Sequence, residues 1–124
     1  MNDNESKLLE KLKQNPQEVS FQEVMSVISE NYDYSPSTFS NGLGEMMVTN
    51  QAGSNEGSCK IFAFAKLHQL SEAETLHCFG DYYRVDVLEN PKGSDHGNIR
   101  AFMKNGWEGV RFDVEPLRRS SPTG

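Results

Sequence analysis

Apolar residues recur at three- and four-residue intervals in several stretches of this chain, and strict alternation with polar residues occurs only near its end. Leu8, Leu9 and Leu12 form a thin helical stripe in a charged N-terminal segment. Asn4 or Ser6 can cap that helix, and Asn15-Pro16 ends it, because a residue before proline avoids helical geometry. Ser20-Phe21-Gln22-Glu23 has the form of a capping box, and Phe21, Val24, Met25 and Ile28 then make one face of a helix ending near Asn31. Ser58 is placed to cap a helix over residues 59–69 that is apolar on nearly every side, the mark of a central buried element. Ser71-Glu72-Ala73-Glu74 is a second capping box. It opens a helix to about residue 89 with Leu76, Phe79, Tyr83 and Val87 inward, and Gly80 admits a close neighbour. Asp95 is the expected cap of a last helix, with Ile99, Phe102 and Met103 as its stripe and Asn105-Gly106 as a left-handed stop.

Two stretches follow another rhythm. Residues 32–58 are rich in aromatic residues and glycine, and Asn41-Gly42 is a hairpin signal because both residues accept positive φ. Short strands are expected at residues 37–39 and 46–49. Beyond Trp107, Val110, Phe112 and Val114 alternate with Arg111 and Asp113, a half-buried strand that must pair, with residues 34–49 as the nearest material. Residues 118–124 read as a disordered tail. The sum is one compact, helix-rich α+β domain with a small antiparallel sheet of two or three short strands.

Composition narrows the function. The chain has 124 residues, enough for one domain, and its seven Phe, four Tyr and one Trp supply a core despite a modest 35% of hydrophobic residues. Eighteen acidic against 12 basic residues give a net charge of -6, which disfavours nucleic acid as a partner. Between residues 32 and 70 only Asp33, Glu45 and Glu56 oppose Lys60 and Lys66, so the excess charge sits on the outer helices. Two cysteines without a C-x-x-C pair suggest neither a disulfide framework nor zinc, and no apolar run is long enough to predict a membrane span. Nothing points to a cofactor or a metal.

Several side chains are candidates for chemistry. Cys59, in the first turn of its expected helix, lies where the helix dipole favours a thiolate. With His96 and Asp95 downstream it would make a cysteine-dependent hydrolase or transferase; the plainer reading is a buried structural cysteine. Asn55 and Glu56 precede the same helix and form either a binding loop for an anionic or polar ligand or simply a capping turn. Asn98 and Arg100, beside Asp95 and His96, form a polar cluster at another helix start, suited to a phosphate or carboxylate or else to capping. His77, Asp81 and Arg84 share one outer helix face, read as solvated rather than metal-binding. Trp107 and the tyrosines can line a pocket or fill the core.

Four stretches carry a family resemblance: Asn55-Glu56-Gly57-Ser58-Cys59-Lys60-Ile61-Phe62-Ala63-Phe64-Ala65, Thr75-Leu76-His77-Cys78-Phe79-Gly80-Asp81-Tyr82-Tyr83-Arg84, Asp95-His96-Gly97-Asn98-Ile99-Arg100-Ala101-Phe102 and Gly106-Trp107. With Tyr34, Pro36, Phe39 and Asn41-Gly42 upstream, the sequence resembles the HopJ type III effector family over residues 20–117. The resemblance implies a bacterial protein, cytoplasmic or exported by a type III system into a host cell, with residues 1–19 as a polar helical or secretion-signal-like segment. It implies no catalytic residues. The leading expectation is therefore an effector that binds a protein partner, in the host if it is exported. A Cys59–His96 enzyme and a cytoplasmic housekeeping binding domain are the alternatives.

Overall fold

A computed structural model describes residues 3–119. Helix α1 (Asp3–Gln14) and helix α2 (Phe21–Asn31) pack together, joined by a single 3-10 turn at Pro16–Glu18. Ser20 caps α2 by accepting from the Glu23 amide, as expected, while the Glu23 carboxylate turns to Lys11 at 2.9 Å instead of completing the box. Strand β1 (Tyr32–Tyr34) follows without a loop, then β2 (Phe39–Asn41) and β3 (Val48–Asn50). The remaining helices are α3 (Glu56–Leu67), α4 (Glu72–His77) and α5 (Gly97–Asn105), followed by strands β4 (Arg111–Phe112) and β5 (Leu117–Arg119). This is the helix-rich α+β architecture expected.

The strands form two small antiparallel sheets. In one, β2 lies between β3 and β4, with Phe39 opposite both Asn50 and Phe112. In the other, β1 pairs with β5, Tyr32 opposite Arg119 and Tyr34 opposite Leu117. Neither β1 nor β5 follows from the alternation pattern. β5 takes Arg118 and Arg119 out of the expected tail, whose residues 120–124 lie outside the described part. The strand expected to run through Val114 is only two residues long, and Val114 is exposed. The turn after Asn41-Gly42 is a longer connection containing a 3-10 turn at Gly44–Met46, so the pair is not a two-residue hairpin.

The core surrounds α3. Phe62 is fully buried, with the rings of Phe39, Phe79, Phe102 and Trp107 5.0–6.3 Å away. The helix expected from residue 71 to 89 starts with a complete Ser71–Glu74 capping box but breaks after His77. Gly80 explains the break: its φ is +60°, and a Cβ there would come within 2.7 Å of the Phe21 backbone nitrogen. Only glycine permits both the turn and the contact. The chain resumes as a π-helical segment, Tyr82–Val87, and Arg84 within it donates to the carbonyls of Pro16 (3.2 Å) and Val19. Arg84, read as part of a solvated face, is thus a half-buried clamp on the α1–α2 connection.

Candidate functional site

The starts of α3 and α5 meet, and local backbone geometry explains how. Both helices are entered through a non-glycine residue in left-handed conformation, Asn55 at φ 52° and His96 at φ 51°. Such residues carry steric cost and are sustained by their surroundings. Neither side chain caps its own helix. Asn55 replaces Ser58 as the residue before α3, and His96 replaces Asp95 before α5, so both expected caps are corrected.

Instead, the Asn55 side chain donates to Asn50 Oδ1 at 2.6 Å. Asn98 Nδ2 donates to the same oxygen at 2.9 Å, and Asn98 Oδ1 accepts from Asn50 at 3.0 Å and Asn41 at 3.2 Å. These four neutral amides tie β2 and β3 to both helix starts, and Asn41, Asn50 and Asn98 are buried. Buried amides must be hydrogen-bonded, and sharing them among one another satisfies most of their atoms. The His96 ring turns to the other side. Its Nε2 lies 3.0 Å from Asp86 Oδ2, and its ring stands 5.3 Å from that of Tyr82.

Between the helix starts lies a cleft of about 360 Å³. Asn55, Gly57 and Ser58 line one side, His96, Gly97, Asn98 and Ile99 the other, and Phe21, Val48, Phe79 and Tyr82 complete it. Gly57 leaves room for Phe21, since a Cβ would stand 2.8 Å from that ring. With no side-chain caps, the first-turn amides of both helices are left for a ligand or for water, and the partial positive ends of two dipoles converge.

The other expected residues lie elsewhere. Cys59 is buried, 1% exposed, and does not line the cleft. Burial pushes its thiol up, opposed only in part by the nearby Tyr34 hydroxyl and Ser37 backbone. Cys78 is buried too and is pushed up to about 12. Glu56 is exposed at the outside of the α3 start. Asp95 is exposed and held below the usual carboxylate range by Arg100, which donates to its Oδ1 at 2.6 Å. Arg100 also donates to the carbonyls of Asp95 and Asn90, so it pins the 90–95 loop and is not the expected anion fork. Trp107 Nε1 donates to the Leu70 carbonyl at 3.2 Å, and its ring joins the core around Phe62. Asn55, His96 and Asn98 are therefore brought together; Cys59, Glu56, Arg100 and Trp107 are not among the cleft residues. Among the described residues no group of three His, Cys, Asp or Glu side chains is placed to hold a metal.

Sequence reasoning missed Asp86, Phe21 and the Asn41–Asn50 pair, whereas Tyr82 is one of the tyrosines expected to line a pocket or fill the core. Asp86 and His96 stand on either side of the Asn90-Pro91 stop, the sequence signal that links them. Asparagine ending two short strands was the other.

Comparison with known proteins adds a family. No curated protein matches the chain. A crystal structure of the unknown-function protein VPA0580 is similar, with a TM-score of 0.89 and 43% identity over 97% of this chain and 95% of that one. The HopJ type III effector protein family matches residues 5–117, from the root of α1 into β5, and so takes in both helix starts and the cleft between them. On that match, this chain belongs to the HopJ type III effector protein family.

Proposed function

We propose that the chain acts by binding, and that the cleft between α3 and α5 receives an anionic group, carboxylate or phosphate, of a protein partner. One observation carries this reading: two uncapped helix starts, of a 12-residue and a nine-residue helix, open into one cleft beside His96. Helix N-termini favour anions because free amides and the dipole act together. The Phe21 and Tyr82 rings add apolar wall, so a side chain bearing the anion fits better than a free ion. Delivery through a type III apparatus belongs to the same proposal and rests on the family alone. The buried, proton-retaining Cys59 lends no support to a cysteine-dependent enzyme.

Titration with inorganic phosphate, followed by amide NMR, tests the site. Saturable shifts are expected at Gly57, Ser58, Gly97 and Asn98, weakened several-fold by His96→Ala and unaffected by Met103→Ala. Absence of shifts at those amides would remove the reading. Secretion is tested separately, by following the full chain in strains with and without a working type III apparatus. Equal amounts outside both would favour the housekeeping alternative.

A further inference from the structure

The two ends of the described chain close on each other through one carboxylate. Glu5, in α1, is fully buried. Its Oε2 accepts from Tyr32 Oη at 2.6 Å and lies 2.9 Å from His68 Nε2. Arg119, in β5, donates to Oε1 at 3.0 Å and to Oε2 at 3.2 Å. The same guanidinium donates to Tyr32 Oη at 2.8 Å and lies 4.7 Å over the Tyr32 ring. One ionised group therefore joins α1, β1, the end of α3 and β5.

A buried carboxylate is tolerated only with a counter-ion and with its lone pairs occupied. Arg119 is the one always-charged partner, and it belongs to a strand of three residues whose only strand neighbour among the described residues is β1 and whose Leu117 is buried against the core. Should β5 leave, Glu5 would keep its charge with no counter-ion, and α1 would no longer be stable in its seat. Should α1 leave, Arg119 would lose both of its carboxylate bonds, and β5 would keep its short ladder, the Arg119–Tyr32 contacts and the buried Leu117. By contrast, the five-ring cluster around Phe62 takes no ring from α1 or β5.

We propose that Glu5 and Arg119 form a latch that makes α1 and β5 a single opening unit, releasing together while the body around Phe62 stays folded. Opening bares Leu8 and Leu12, both buried in the closed form, together with the face of α2 that they cover. In a chain drawn out from its α1 side, a role that rests on the export reading above, this latch breaks early, together with the Asn31–Asn4 bond.

Hydrogen exchange by mass spectrometry on the full chain tests the latch without reference to secretion. Segments 3–14 and 117–119 are expected to exchange together and ahead of segments 59–65 and 98–102. Glu5→Gln and Arg119→Met, on opposite ends, should each speed exchange in both terminal segments by about tenfold or more and leave 59–65 unchanged. If a variant fails to fold, Tyr32→Phe, which removes one donor and keeps both charges, should give the same paired acceleration at smaller size. Acceleration confined to the substituted segment, acceleration spread over the whole chain, or none, would each overturn the proposal.

Discussion

At the meeting of α1 and β5, an ionised carboxylate is sealed from water, and hydrogen bonds from three other segments occupy its oxygens. At the cleft between α3 and α5, the buried polar groups are neutral amides that satisfy most of one another's atoms, Asn41 Oδ1 excepted, while the helix amides beside them have no side-chain cap. Both regions join elements distant in sequence. They differ in what remains unsatisfied. A sealed charge with its partners in place has nothing to offer a ligand, and losing a partner is costly. The asparagine cluster holds its helix starts in place without consuming them. Polar density alone therefore does not identify a site; spare hydrogen-bonding capacity facing an open volume does.

That contrast can be broken from either side, and the largest effect belongs to the sealed charge. Arg119→Met leaves the Glu5 carboxylate buried without its cation and should cost about 3 kcal/mol, read from urea unfolding. Replacing Glu5 and Arg119 together by Leu and Met should recover most of that loss. A single variant within about 0.5 kcal/mol of the parent would show that the carboxylate is not sealed. Asn98→Ala comes next, at about 2 kcal/mol, because it strands the amides of Asn41 and Asn50. It should also weaken phosphate binding, whereas Arg119→Met should leave it alone.

Acid titration gives a smaller effect. Burial alone would raise the Glu5 carboxyl, but hydrogen bonds from Arg119, Tyr32 and His68 outweigh it and bring the folded value below the ordinary 4.5. A lowered folded value means that Glu5 stabilises the fold above pH 4.5, and that this contribution is lost as pH falls through the folded value. Urea midpoints should accordingly decline on the acid side, and Glu5→Gln should flatten that decline. An unchanged slope in the variant would assign the acid limb to other carboxylates. The smallest stability effect is expected for His96→Ala, within about 0.5 kcal/mol, because its partner Asp86 remains solvated. A loss of several-fold in phosphate affinity with so small a change in stability would set the cleft apart from the latch.

Much of the helical framework was legible before any coordinates. Ser20 and Ser71 announced helix starts through their hydroxyls and Gly80 a close approach, and the structure contains each; Gly106 does end α5 at a positive φ of 60°, but with ψ -151° rather than the expected left-handed helical turn. The all-round apolar run in α3 correctly marked the centre of the core. The cleft was half legible: Asn55, His96 and Asn98 were singled out for their place at helix starts. Its wall was legible only in part: Tyr82 was among the tyrosines offered for a pocket, but Phe21 looks like a core residue at helical spacing and Asp86 like one more solvated acid.

The capping hydroxyls, the apolar periodicities and the glycines act over three or four residues, so sequence alone determined which stretches are helical, their order and the membership of the family, but not the entries to α3 and α5 or the break after α4. Tertiary structure decided where polar groups find partners. Glu5 and Arg119 are 114 positions apart, and Asn50 and Asn98 are 48 apart. No local periodicity records such pairings, because a hydrogen bond constrains position in space and leaves the intervening chain free. The same limit applies to Cys59. Its place in the first turns of α3 was visible from the sequence, but the direction it faces, toward Tyr34 and Ser37 rather than into the cleft, depends on how α3 packs against the segment after β1.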